Sequence, residues 1–80
     1  MITPQEAEKL AAETIKNYMN ACQLQTTQDA GNALMKLVSM AGLAMCATVG
    51  QKEAVDRLQG TAAYIAQPKY SGPWKQEREH

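Results

Sequence analysis

Ala33-Leu-Met-Lys-Leu-Val-Ser-Met-Ala-Gly-Leu-Ala-Met-Cys-Ala-Thr-Val49 is an apolar run interrupted by one charge, Lys36. At helical pitch Leu34, Leu37, Val38, Ala41 and Met45 make one broad apolar stripe. Met35, Ser39, Gly42, Cys46 and Val49 make a second, lined mainly by small residues. Met40, Leu43 and Ala47 cover most of the remainder, beside Lys36. A helix that is apolar on every side has to be covered on every side. In a chain of 80 residues two further helices each shield only one sector, so this run predicts self-association or a partner protein.

Outward from it the chain reads as all-α. Thr3 is a good N-cap, Pro4 suits the first helical position, and Glu6 completes a capping box. Ala7, Leu10, Ala11, Thr14, Ile15, Tyr18, Met19 and Cys22 follow at three- and four-residue spacing, which predicts a first helix over 4–22. Glu6–Lys9 and Glu13–Lys16 are expected on its solvated side. Gln23–Thr27 has the composition of a helix connection, and Thr26 or Thr27 can cap a second helix over 27–49, with Asp29 in its first turn. Gly31-Asn32 is a weak spot that can delay its start. Gly50 ends it as a left-handed residue. A third helix over 51–66 carries Ala54, Val55, Leu58, Ala62, Ile65 and Ala66 on its core face and a Glu53–Arg57 pair outside, and Pro68 limits it. Gly60 lies away from that stripe, either as a tolerated defect or as a place where another chain approaches closely. The expected domain is thus a compact three-helix protomer over 1–67, with the central helix buried in an oligomer.

Residues 68–80 change character. Two prolines, a glycine and two of the chain's four aromatics lead into a charged end, which predicts an extended or turning tail. Tyr70, Trp74 and Lys75 are its best candidates for contact with a partner, because aromatic anchors carry much of the energy of interfaces. The competing expectation is a clasp in which Trp74 folds back on the protein's own surface.

Composition narrows function mainly by exclusion. Eight basic and eight acidic residues cancel, leaving no basic stripe to neutralise phosphates, so nucleic acid is an unlikely partner. Glu6, Glu8 and Glu13 stand where a signal peptide needs a basic region and an apolar core, and Leu37–Val49 is short for a bilayer span of about 20 residues. The expectation is a cytoplasmic protein without membrane contact. Cys22 and Cys46 lack paired spacing and sit in apolar helical stretches, which suggests buried free thiols in a reducing compartment. With His80 the only histidine, neither a metal site nor a Cys–His nucleophile is expected. The carboxylates fall on solvated helix faces, and no phosphate-binding glycine motif occurs. No catalytic residue, cofactor or metal is therefore assigned.

What remains is a non-catalytic, homo-oligomeric interaction protein, with Met35, Ser39, Met40, Gly42, Leu43 and Cys46 as the expected subunit interface. Its general character fits the small accessory or inhibitory proteins of bacteria and phages that act on another protein. The alternative is a protein that binds or sequesters a small, nucleotide-like ligand at subunit interfaces, with Tyr18, Tyr64, Arg57 or Lys36 around an apolar floor.

Overall fold

The structure, a computed structural model, describes residues 1–72 and is all-α, with no strand among them. Three helices follow one another: α1 over Pro4–Cys22, α2 over Thr27–Thr48 and α3 over Gln51–Ile65. A 3-10 turn over Pro68–Tyr70 comes next. The chain is built as two compact units, Met1–Met40 and Ala41–His80, and α2 runs through the boundary between them as a single helix.

In the first unit the capping signals work as the sequence suggests. The Glu6 N–H donates to the Thr3 hydroxyl at 3.1 Å, and the Thr3 N–H donates to the Glu6 carboxylate at 2.9 Å. Glu6 is thus engaged in the cap. At the other end Gln23 takes a left-handed conformation, φ 55° and ψ 54°, where glycine is the usual occupant. Sequence gives no warning of that turn. It lets the chain reverse before Thr26, whose hydroxyl accepts from the Asp29 N–H at 3.0 Å, while the Asp29 carboxylate accepts from Gln25 N–H at 3.2 Å. This double cap starts α2 at Thr27 despite Gly31-Asn32, so the delayed start does not occur. Tyr18, Met19, Leu24, Ala30, Ala33, Leu34 and Leu37 are half-buried, and the Tyr18 hydroxyl donates to the Ala33 carbonyl at 2.7 Å. Leu10 and Ile15, on the expected core stripe of α1, stay exposed. The packed part of α1 is therefore its C-terminal end.

In the second unit Gly50, at φ 100° and ψ 155°, links α2 to α3. Its positive φ is the reason for glycine there, although ψ places it in the extended mirror region instead of the left-handed helical one expected. Gly42 and Ala54 are buried, with Met45 and Leu58 half-buried around them. A Cβ built on Gly42 would lie 3.2 Å from Leu58 Cδ1, so the missing side chain is what lets Leu58 settle on α2. This corrects the assignment of Gly42 to a subunit interface: the chain's own α3 covers it. Val55 and Ile65, expected in the core face of α3, are exposed. The Arg57–Glu53 pair forms at 3.0 Å as anticipated, joined by Lys52–Asp56 at 2.9 Å, and both are exposed pairs worth a few tenths of a kcal/mol.

One further expectation fails: Cys22 and Cys46 are exposed, because the packed strips of α1 and α2 pass beside them and not over them. Of the two paths expected for the tail, Pro68–Tyr70 takes the turning one, with Ser71 N–H donating to the Pro68 carbonyl at 3.0 Å.

Two outcomes check this packing. Gly60→Ala, with nothing within 4 Å of the added methyl, should raise stability by about 0.5–1 kcal/mol. Gly42→Val, pressed against Leu58, should lower it by about 1–3 kcal/mol. Urea unfolding at one fixed chain concentration compares them. The second outcome concerns Tyr18, whose hydroxyl burial pushes above the usual tyrosine range, with Cys22 adding to the effect. Since the folded value exceeds the unfolded one near 10, the contribution is intact below about pH 10 and is lost as pH rises through the raised value. Tyr18→Phe should melt at a lower temperature than wild type at neutral pH, and the gap should narrow in alkaline solution.

Candidate interaction surface

The described residues show a single buried hydrophobic side chain, Ala54. Large apolar side chains stand in solvent on every helix: Leu10 and Ile15 on α1, Met35, Val38, Met40 and Leu43 on α2, Val55, Tyr64 and Ile65 on α3. Soluble proteins expose single hydrophobes routinely, and only where such residues adjoin on one face do they mark a contact surface.

Of the residues expected at a subunit interface, Met35, Met40 and Leu43 are about 60% exposed (59%, 63% and 63%), and Ser39 and Cys46 are exposed as well. Gly42 is the exception. Lys36, Met40, Leu43 and Ala47 follow at spacings of four, three and four, so they share one face of α2, and all four are exposed. No basic residue stands in the last turn of α2 to meet its C-terminal carbonyls.

Among the tail candidates, Tyr70 is drawn into the chain's own surface. Its hydroxyl lies 2.8 Å from that of Tyr64, and the rings meet at 5.5 Å with their planes tilted by 53°. Lys69 places its ammonium 5.3 Å from the Tyr70 ring centre and 5.6 Å from that of Tyr64. This small aromatic–cation cluster gives the 3-10 turn its reason: Pro68 redirects the chain so that Tyr70 reaches back six residues. Trp74 and Lys75 lie outside the described residues.

Beside the cluster an open groove of about 450 Å³ is lined by Met45, Arg57, Leu58, Gly60, Thr61 and Tyr64. Arg57, Gly60, Thr61 and Tyr64 recur at i, i+3, i+4 and i+7, one face of α3. The groove brings together Arg57 and Tyr64, two of the four residues considered for a small ligand. Tyr18 is bonded to Ala33 and does not line it, and neither does Lys36. Gly60 opens onto the groove, with nothing of its own chain within 4 Å of an added Cβ among the described residues. Among the described residues no three His, Cys, Asp or Glu side chains gather as metal ligands.

Counted from Leu37 to Val49 the apolar segment is short for a bilayer, while the 22-residue α2 contains an 18-residue window of mean hydropathy 1.3, enough by length and composition alone to cross one. A helix shared between subunits passes the same test. No family model, no curated protein and no solved structure matches this chain.

The exposed thiols give a direct probe of the surface. Cys22 and Cys46 should both react with a disulfide reagent such as dithionitrobenzoate without denaturant. If α2 carries the contact, Cys46 alone should slow as chain concentration rises from nanomolar to tens of micromolar.

Proposed function

We propose that this chain is a non-catalytic interaction protein that works as a homo-oligomer and presents apolar helix surfaces to a partner protein. The observation that supports this most is the small internal core among the described residues: one buried hydrophobic residue against thirteen large exposed ones. Domains of this size are marginal even when well packed, and oligomerisation is a common way to supply the missing burial. Small accessory and inhibitory proteins act in this way, by occupying a surface of another protein and changing no bond.

A small-ligand role for the Arg57–Tyr64 groove takes second place. Its supporting observation is a cation, a hydroxyl and an aromatic ring over the apolar floor of Met45 and Leu58. Arg57 is, however, already paired with Glu53, and Tyr64 with Tyr70.

Light scattering coupled to size exclusion tests the leading proposal. At 50 µM the mass should be a multiple of the 8.7 kDa chain, and dilution should move it toward the monomer together with a loss of helicity. A folded species of single-chain mass at that concentration overturns it.

A further inference from the structure

We infer that a second copy of this chain docks antiparallel along the Met40–Leu43–Ala47 face of α2, with its two-fold axis near Leu43. This rests on the homo-oligomeric reading above and specifies its surface and orientation.

The face lies on one helix whose ladder runs unbroken from Thr27 to Thr48. Met40 and Leu43 are the most exposed of its large apolar side chains, Ala47 continues the row, and Met35, Ser39 and Cys46 flank it. A second copy supplies the right chemistry, because a two-fold contact sets the same apolar row against itself.

Charge fixes the direction. Between Asp29 and the end of α2 the only charge is Lys36, and it stands on this face. In a parallel, in-register pair the two Lys36 ammoniums would face each other across an apolar seam, which is repulsive. In an antiparallel pair centred on Leu43, Lys36 lies seven residues from the axis on one side. It then falls opposite Gly50 of the other copy, seven residues away on the other side. There it meets the last carbonyls of the partner's α2, which no basic residue of their own helix neutralises. One residue thus disfavours the parallel arrangement and favours the antiparallel one.

The test measures association and orientation separately. Leu43→Glu should leave the circular dichroism helical and raise the dissociation constant at least about a hundredfold, since it buries two unpaired carboxylates near the axis. Should Leu43→Glu fail to fold, Leu43→Ala gives the same readout, with an expected rise of about tenfold or more. Lys36→Glu should weaken the dimer about tenfold at low salt and less at high salt. For orientation, a nitroxide at Asn32→Cys in a Cys22→Ser, Cys46→Ser background is measured by double electron–electron resonance. Asn32 is eleven residues from Leu43, so antiparallel copies place the labels about 33 Å apart along the helix axis. A parallel pair would hold them within about 20 Å. A short distance overturns the inference. So does an oligomer unaffected by Leu43→Glu and Leu43→Ala, which would leave the homo-oligomeric reading standing on another surface. A monomeric wild type overturns both, as does a wild type that is monomeric and sediments with phosphatidylcholine vesicles.

Discussion

Two helices side by side can hide only the strip along which their axes face, and everything in this protein follows from that limit. In each compact unit the strip is narrow. Half-buried residues from Ala30 to Leu37 serve one unit, and Gly42, Met45, Ala54 and Leu58 serve the other. Small residues set how closely the helices come. Gly42 admits Leu58, and the buried Ala54 offers the smallest ordinary side chain at its contact. Close approach gains dispersion contacts. It does not gain area, because glycine and alanine have little to bury. Among the described residues the outer side of α2 therefore stays exposed, however well the inner strip packs.

What could be read from the sequence was local. The Thr3–Glu6 capping box, the glycine between α2 and α3 and the Glu53–Arg57 pair each depend on residues within four positions of one another, and all are present. The errors arose where the answer depends on a distant residue. Gly42 and Cys46 lie on one i,i+4 row and look equivalent on a helical wheel. Leu58 covers only the first, so one is buried and the other exposed. Periodicity identifies a face and is silent about which neighbour meets it. The same reason explains Val55 and Ile65, apolar residues at core spacing that no described element covers.

The candidate site divides along the same line. Met35, Met40 and Leu43 were legible as a surface because an excess of apolar residues is a count, and counts need no coordinates. The choice of the turning path at Pro68–Tyr70 was not, because its cause is a hydroxyl pair and a ring contact between residues six apart, outside any helical or strand period. The groove at Arg57 and Tyr64 falls between these cases. Its residues share one face of α3, which the sequence contains, while its floor at Met45 belongs to the preceding helix.

In the proposed antiparallel pair, Lys36 is the residue that gives the surface a direction. A wholly apolar α2 would pair in many registers and both orientations, since aliphatic and thioether side chains adapt to almost any neighbour. One charge on such a face is costly wherever it lacks a partner, so it penalises most arrangements and spares few. The penalty falls on the associated states, because the ammonium is solvated in the separate chain. A single polar residue in an apolar seam sets register and orientation in coiled coils by the same unequal cost. Here the complementary group is a helix terminus, which offers carbonyl oxygens at a fixed end of the same helix. Orientation is then encoded by the distance from Lys36 to Gly50, two turns on either side of Leu43, without an acidic partner in the sequence of α2 beyond Asp29.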